Sequence, residues 1–73
     1  MTEEQWNAEF AKKLNYKINA MSISQKELSE LSGVSETSIS RYLSGTQTPK
    51  TYALTQIASA LNASIYELIP LTR

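Results

Sequence analysis

The sequence contains no cysteine and no histidine. Without cysteine there is no disulfide framework, no thiolate metal site and no thiol nucleophile. Without histidine the commonest general base and the commonest metal ligand are both missing. Seven carboxylates are all that remain for acid–base work, so the composition argues against an enzyme, and no cofactor or metal is expected. Glycine and proline are scarce, two of each. Each of the four falls between periodic segments, which suits punctuation between short helices rather than the turns of a sheet. No run approaches the roughly 18 uncharged apolar residues of a membrane span, so no membrane partner is expected. The first residues, Met1-Thr2-Glu3-Glu4-Gln5-Trp6, are acidic where a signal peptide would be basic. A cytoplasmic location is the expectation.

What is present is modest and evenly mixed. The 73 residues are expected to form one domain, residues 1–73, with no appended ligand-binding or cleavage domain. A chain of this size hides only roughly 60–65% of its unfolded surface, and its 41% apolar content suffices for one thin core. Seven basic and seven acidic side chains cancel, and the isoelectric point is near 6.2. Bulk charge therefore does not suggest a basic nucleic-acid binder. The distribution is uneven. Residues 1–10 carry only acids, residues 11–26 only lysines (Lys12, Lys13, Lys17, Lys26), and residues 27–36 acids again. Arg41 and Lys50 then stand in a stretch of Ser, Thr and Gln.

Periodicity predicts helices throughout. Trp6, Phe10, Leu14 and Ile18 recur every four residues between Glu3 and Met21, one apolar stripe of a first helix. Ser24-Gln25-Lys26-Glu27 is a capping box opening a second, with Ile23 and Leu28 placed as a hydrophobic staple. Leu28 and Leu31 are expected to form its apolar face, and Gly33 to end it in the left-handed conformation. A third helix follows with Ser35 as N-cap and Ile39, Tyr42 and Leu43 facing inward. Gly45 stops it. After the polar loop 44–50, a fourth helix spans about Lys50 to Leu61 on the stripe Leu54, Ile57, Ala58 and Leu61, and Asn62 suits a left-handed C-terminus. Ser64-Ile65-Tyr66-Glu67 is a second capping box, predicted to open a short fifth helix that Pro70 ends. The fold class expected is all-α, a compact five-helix domain.

Two short helices joined by a turn of three to four residues containing glycine mark a helix-turn-helix. Here they are Gln25–Ser32 and Glu36–Leu43, joined through Gly33-Val34-Ser35. From Ile23 to Leu68, about two-thirds of the chain without a gap, the sequence resembles the lambda-repressor-like helix-turn-helix family of phage repressors and Cro proteins. The resemblance is carried by the segment Ser24 to Gly45, by Thr48-Pro49, and by the run Leu54 to Leu68. The first helix fits more loosely, through Leu14 and Ile18. One departure stands out: many members place an arginine near position 18 and a glutamate at 43, and this chain has Ile18 and Leu43. If the two touch, an apolar contact replaces an ion pair, a swap that is often neutral or stabilising.

The resemblance implies a site. In this fold the third helix enters the major groove with its N-terminal residues at base edges. Base contacts are then expected from Glu36, Thr37, Ser40 and Arg41. Arginine can donate two hydrogen bonds to guanine, threonine can pack its methyl on thymine, and glutamate can accept from cytosine. Phosphate contacts are expected from Gln25, whose helix start favours anions, and from Ser38, Ser44, Thr46, Gln47, Thr48, Lys50 and Lys17, which position the protein without carrying a sequence code. Each of these has a plain surface or loop role as its alternative.

The reading is a sequence-specific regulator that binds double-stranded DNA, a repressor on a palindromic operator. Two copies on half-sites one helical turn apart double the interface, so a homodimer is expected, with Ile65, Ile69 and Leu71 as its surface; an internal core role for these residues stays open. No small-molecule ligand is evident. The alternative is a protein-interaction module on the same fold, an antitoxin or anti-repressor partner with weak or no DNA binding. Zero net charge and Glu36 favour that alternative. The Ser- and Thr-rich third helix with its one arginine favours DNA.

Overall fold

The computed structural model describes residues 1–70. Leu71, one of the residues expected at a dimer surface, lies outside them. Four α-helices follow one another, α1 (Glu3–Ala20), α2 (Gln25–Ser32), α3 (Glu36–Ser44) and α4 (Thr51–Ala60), and a 3-10 turn (Ile65–Glu67) closes the chain. Among the described residues there is no strand, and no helix is long and apolar enough to cross a membrane.

α1 starts at a capping box that the composition does not advertise. Thr2 Oγ1 accepts from Gln5 N at 3.1 Å, and Gln5 Oε1 accepts from Thr2 N at 2.9 Å. Its apolar stripe is buried at Phe10, Leu14 and Ile18, with Asn7 and Ala11 beside it. Trp6 is only half-buried and stacks on Phe10 with ring centroids 5.5 Å apart. The edge of Tyr42 from α3 meets the same ring at 6.2 Å. α1 packs on α3, and α4 packs on α2. The centre of the molecule is filled by Phe10, Leu14, Leu28, Ile39, Ile57 and Leu68, all fully buried. Ile18 is buried and Leu43 half-buried in the same apolar cluster, so the position that often holds an ion pair is apolar here.

The expected boundaries hold at α2 and at the start of α3, which runs one residue past Leu43 to Ser44 before Gly45. Ser24 Oγ accepts from Glu27 N, and Glu27 Oε1 accepts from Ser24 N, both at 3.1 Å. Gly33 ends α2 at φ +75°, and Asn62 follows α4 at φ +52°. Ser22, also left-handed at φ +55°, is a residue that sequence pattern does not single out for that conformation.

Two expectations are corrected. The fifth helix is a single 3-10 turn. Its capping box forms: Ser64 Oγ accepts from Tyr66 N at 3.0 Å and Glu67 Oε2 from Ser64 N at 2.8 Å. Pro70 lacks an N–H and disfavours helical backbone at the residue before it, so only three residues fit, and buried Leu68 and Pro70 anchor the chain at once. The fold is therefore four helices and a turn, not five helices. Leu31 is the second correction. It is 61% exposed. The inward stripe of α2 runs from Leu28 to Ser32, four residues apart, and Ser32 takes the buried place because its hydroxyl has work to do in the turn.

Candidate nucleic-acid interface

The turn between α2 and α3 is fastened by side chains. Ser29 Oγ donates to Val34 O at 2.7 Å, and Ser32 Oγ accepts from Val34 N at 3.1 Å. Val34 itself is buried. The chain thus leaves α2, passes through left-handed Gly33 and enters α3 at Ser35, whose Oγ accepts from Ser38 N at 3.2 Å. Ser29 and Ser32 escape sequence reasoning as positioning groups. Their only signal is a serine at each of the positions one and four residues before the turn glycine.

α3 divides cleanly into two faces. At about 100° per residue, Glu36, Ser40, Ser44, Thr37 and Arg41 fall within an arc of about 140°. All five are exposed, while Ile39 and Tyr42 on the opposite side are buried. Hydrophobic packing of the second face against α1 is what turns the first outward. Glu36, Thr37, Ser40 and Arg41 line one open concavity of about 400 Å3, and Gln25 from the start of α2 completes its wall. All four residues expected at base edges and one expected at phosphate are thereby brought together.

The remaining expected residues are placed differently. Ser44 and Thr46 stand 2.9 Å apart at the far end of α3, and both hydroxyls reach Arg41 O, at 3.0 and 3.3 Å. They cap the helix while staying exposed. Ser38 is half-buried and accepts from Ser35 Oγ at 2.9 Å. Gln47 is half-buried in the loop. Thr48 points back to α1: its hydroxyl donates to Glu3 Oε2 at 2.6 Å and lies 2.9 Å from Asn7 Oδ1. Lys50 is exposed at the start of α4. Lys17 is held by Glu67 of the 3-10 turn. Ile65 and Ile69 are half-buried, and Ile65 packs against the core.

Electrostatically the concavity is mixed, with Arg41 the cation and Glu36 the anion of its wall. Among the described residues no group of histidine, cysteine and carboxylate side chains is arranged to hold a metal.

A recognition helix with its polar face outward, set by a glycine turn against a preceding helix, defines a helix-turn-helix protein. The helix-turn-helix family profile matches residues 14–68, and the chain belongs to that family, of the lambda-repressor-like type, whose members are DNA-binding transcription regulators. The fold is similar to that of the restriction-modification controller protein C.AhdI from Aeromonas hydrophila, with a TM-score of 0.82 and 24% identity over 85% of this chain and 94% of that one. No curated protein sequence matches the chain.

Proposed function

We propose that the chain is a sequence-specific repressor that binds a palindromic operator in duplex DNA as a dimer. The observation that carries the reading is the concavity that Gln25 shares with Glu36, Thr37, Ser40 and Arg41. An open, polar, side-chain-rich face on a short helix fits a major groove. Arg41 reads guanine, and Glu36, Thr37 and Ser40 contact neighbouring base edges. Gln25, from the wall of the same concavity, meets phosphate, as do Ser38, Ser44, Thr46, Gln47 and Lys50. Thr48 and Lys17, already engaged by Glu3 and Glu67, are the weakest members of the phosphate set. Half-buried Ile65 and Ile69 form the dimer surface. The role named for the structural neighbour, a controller, agrees with a regulator.

One observation favours a second reading. Glu36 is exposed at the head of α3 and the net charge is zero, which suits a protein partner on the same face. Fluorescence titration against random duplex DNA at two salt concentrations separates the two. Salt-dependent binding supports DNA, because displaced counterions set the slope. No binding at low salt rejects the DNA reading and leaves the protein partner.

A further inference from the structure

The turn between α2 and α3 receives one hydrogen bond from outside the motif. Gln56 Nε2, on α4, donates to Ser32 O at 3.3 Å, across twenty-four residues. Ser32 is 3% exposed, and Gln56 is half-buried beside fully buried Ile57. Ser32 O is one of the last carbonyls of α2, which have no partner inside the helix. Three other polar groups of the turn bond within the motif: Gly33 N to Ser29 O at 2.9 Å, Val34 N to Ser32 Oγ, and Val34 O to Ser29 Oγ. Gln56 therefore ties α4 to the pivot about which α3 turns.

We propose that Gln56 is a positioning residue for sequence discrimination: it fixes the angle of α3 without touching DNA. The inference rests on the DNA reading above. Leverage makes it matter. Arg41 lies five residues beyond Glu36, about 7.5 Å along the helix axis, so a tilt of about 8° at the turn moves it by about 1 Å. A bidentate contact to a base edge does not survive that displacement. Phosphate contacts, which carry no sequence information, tolerate it because charge attraction falls off slowly with distance. Loosening the pivot therefore reduces preference for the right sequence more than it reduces binding to any sequence.

The test uses a duplex selected from a random pool with the wild-type chain, and a scrambled duplex of the same composition. Gln56→Met keeps the length and packing of the side chain and removes the donor. Gln56→Lys restores a donor. The ratio of selected to scrambled affinity is expected to fall roughly two- to tenfold in Gln56→Met, the range a single neutral hydrogen bond spans, with scrambled binding unchanged. Gln56→Lys is expected to recover the ratio. Melting curves of all three chains give the purely structural effect. A Gln56→Met ratio equal to that of the wild type overturns the inference and leaves the DNA reading standing. Equal losses on both duplexes that track a lowered melting temperature overturn it too. A wild-type chain that selects no sequence overturns the DNA reading itself.

Discussion

Lys17 of α1 and Glu67 of the 3-10 turn form an ion pair that joins the first helix to the end of the described chain, fifty residues away. The same carboxylate uses its other oxygen to accept from Ser64 N. One side chain thus closes both a local cap and a long-range contact. The hydrogen bond from Lys17, the Ser64 N–H and the Lys17 charge hold the Glu67 carboxyl below its ordinary value of 4.5. A depressed carboxylate contributes stability that is fully present above that ordinary value and lost as pH falls through the folded one. Glu67→Gln keeps an acceptor for Ser64 but no charge for Lys17. Its melting temperature is expected to lie slightly below that of the wild type at neutral pH, and the two are expected to converge in acid. Melting curves across this range check the sign, and a gap that widens in acid would contradict it.

Leu28→Ala and Ile39→Ala each empty a fully buried position. Each is expected to cost roughly 2–5 kcal/mol, a large share of the stability of a domain this size, about 0.05–0.15 kcal/mol per residue. Leu31→Ala, by contrast, removes an exposed side chain and is expected to change stability by less than about 0.5 kcal/mol. Chemical denaturation of the three variants orders them.

Arg41, Gln25 and Lys50 separate the proposed ways of contacting DNA. Arg41→Ala is expected to cost about 1–3 kcal/mol on a selected duplex and to relax preference at one base pair. Gln25→Ala and Lys50→Ala are expected to weaken all sequences about equally. Of these two, only Lys50→Ala is expected to flatten the salt slope, by about one unit, because a lysine at phosphate displaces a counterion and a glutamine does not. Titrations on selected and scrambled duplexes at two salt concentrations distinguish the three. Equal losses on both duplexes for Arg41→Ala would make it a phosphate contact and pass specificity to Glu36, Thr37 and Ser40.

Ile69→Glu tests the proposed dimer surface. Ile69 is half-buried at the end of the described chain, so a charge there is expected to weaken self-association while leaving the four-helix core intact. Sedimentation with and without the selected duplex, beside a melting curve, reads the two effects separately. Unchanged mass and unchanged affinity would remove Ile69 from the interface.

The elements legible in the sequence are those whose signals are local. Ser24 and Glu27 make their box from four consecutive residues, and Gly33 and Asn62 take the left-handed backbone their chemistry permits. The outward face of α3 was equally legible, because Ile39 and Tyr42 leave only one side for Glu36, Thr37, Ser40 and Arg41. What pattern could not supply was tertiary. The exposure of Leu31 depends on Ser32 being needed at the turn. The shortness of the last turn depends on Leu68 and Pro70 finding the core within a few residues. Thr48 and Lys17 look like free phosphate ligands until α1 and the 3-10 turn bring Glu3 and Glu67 to them.

The helix starts are not secured alike. Capping boxes close α1, α2 and the 3-10 turn, and Ser35 caps α3, but Lys50 gives α4 no side-chain cap. Local opening follows the weakest end. Amide protons of Thr51, Tyr52 and Ala53 are therefore expected to exchange with solvent deuterium sooner than those in the first turn of α2. The loop bearing Thr46, Gln47 and Thr48 runs into that loosest joint. The third helix thus begins at a side-chain cap where it meets α2, while the loop beyond it is tethered to α1 through Thr48 and leads into a helix start that no side chain closes.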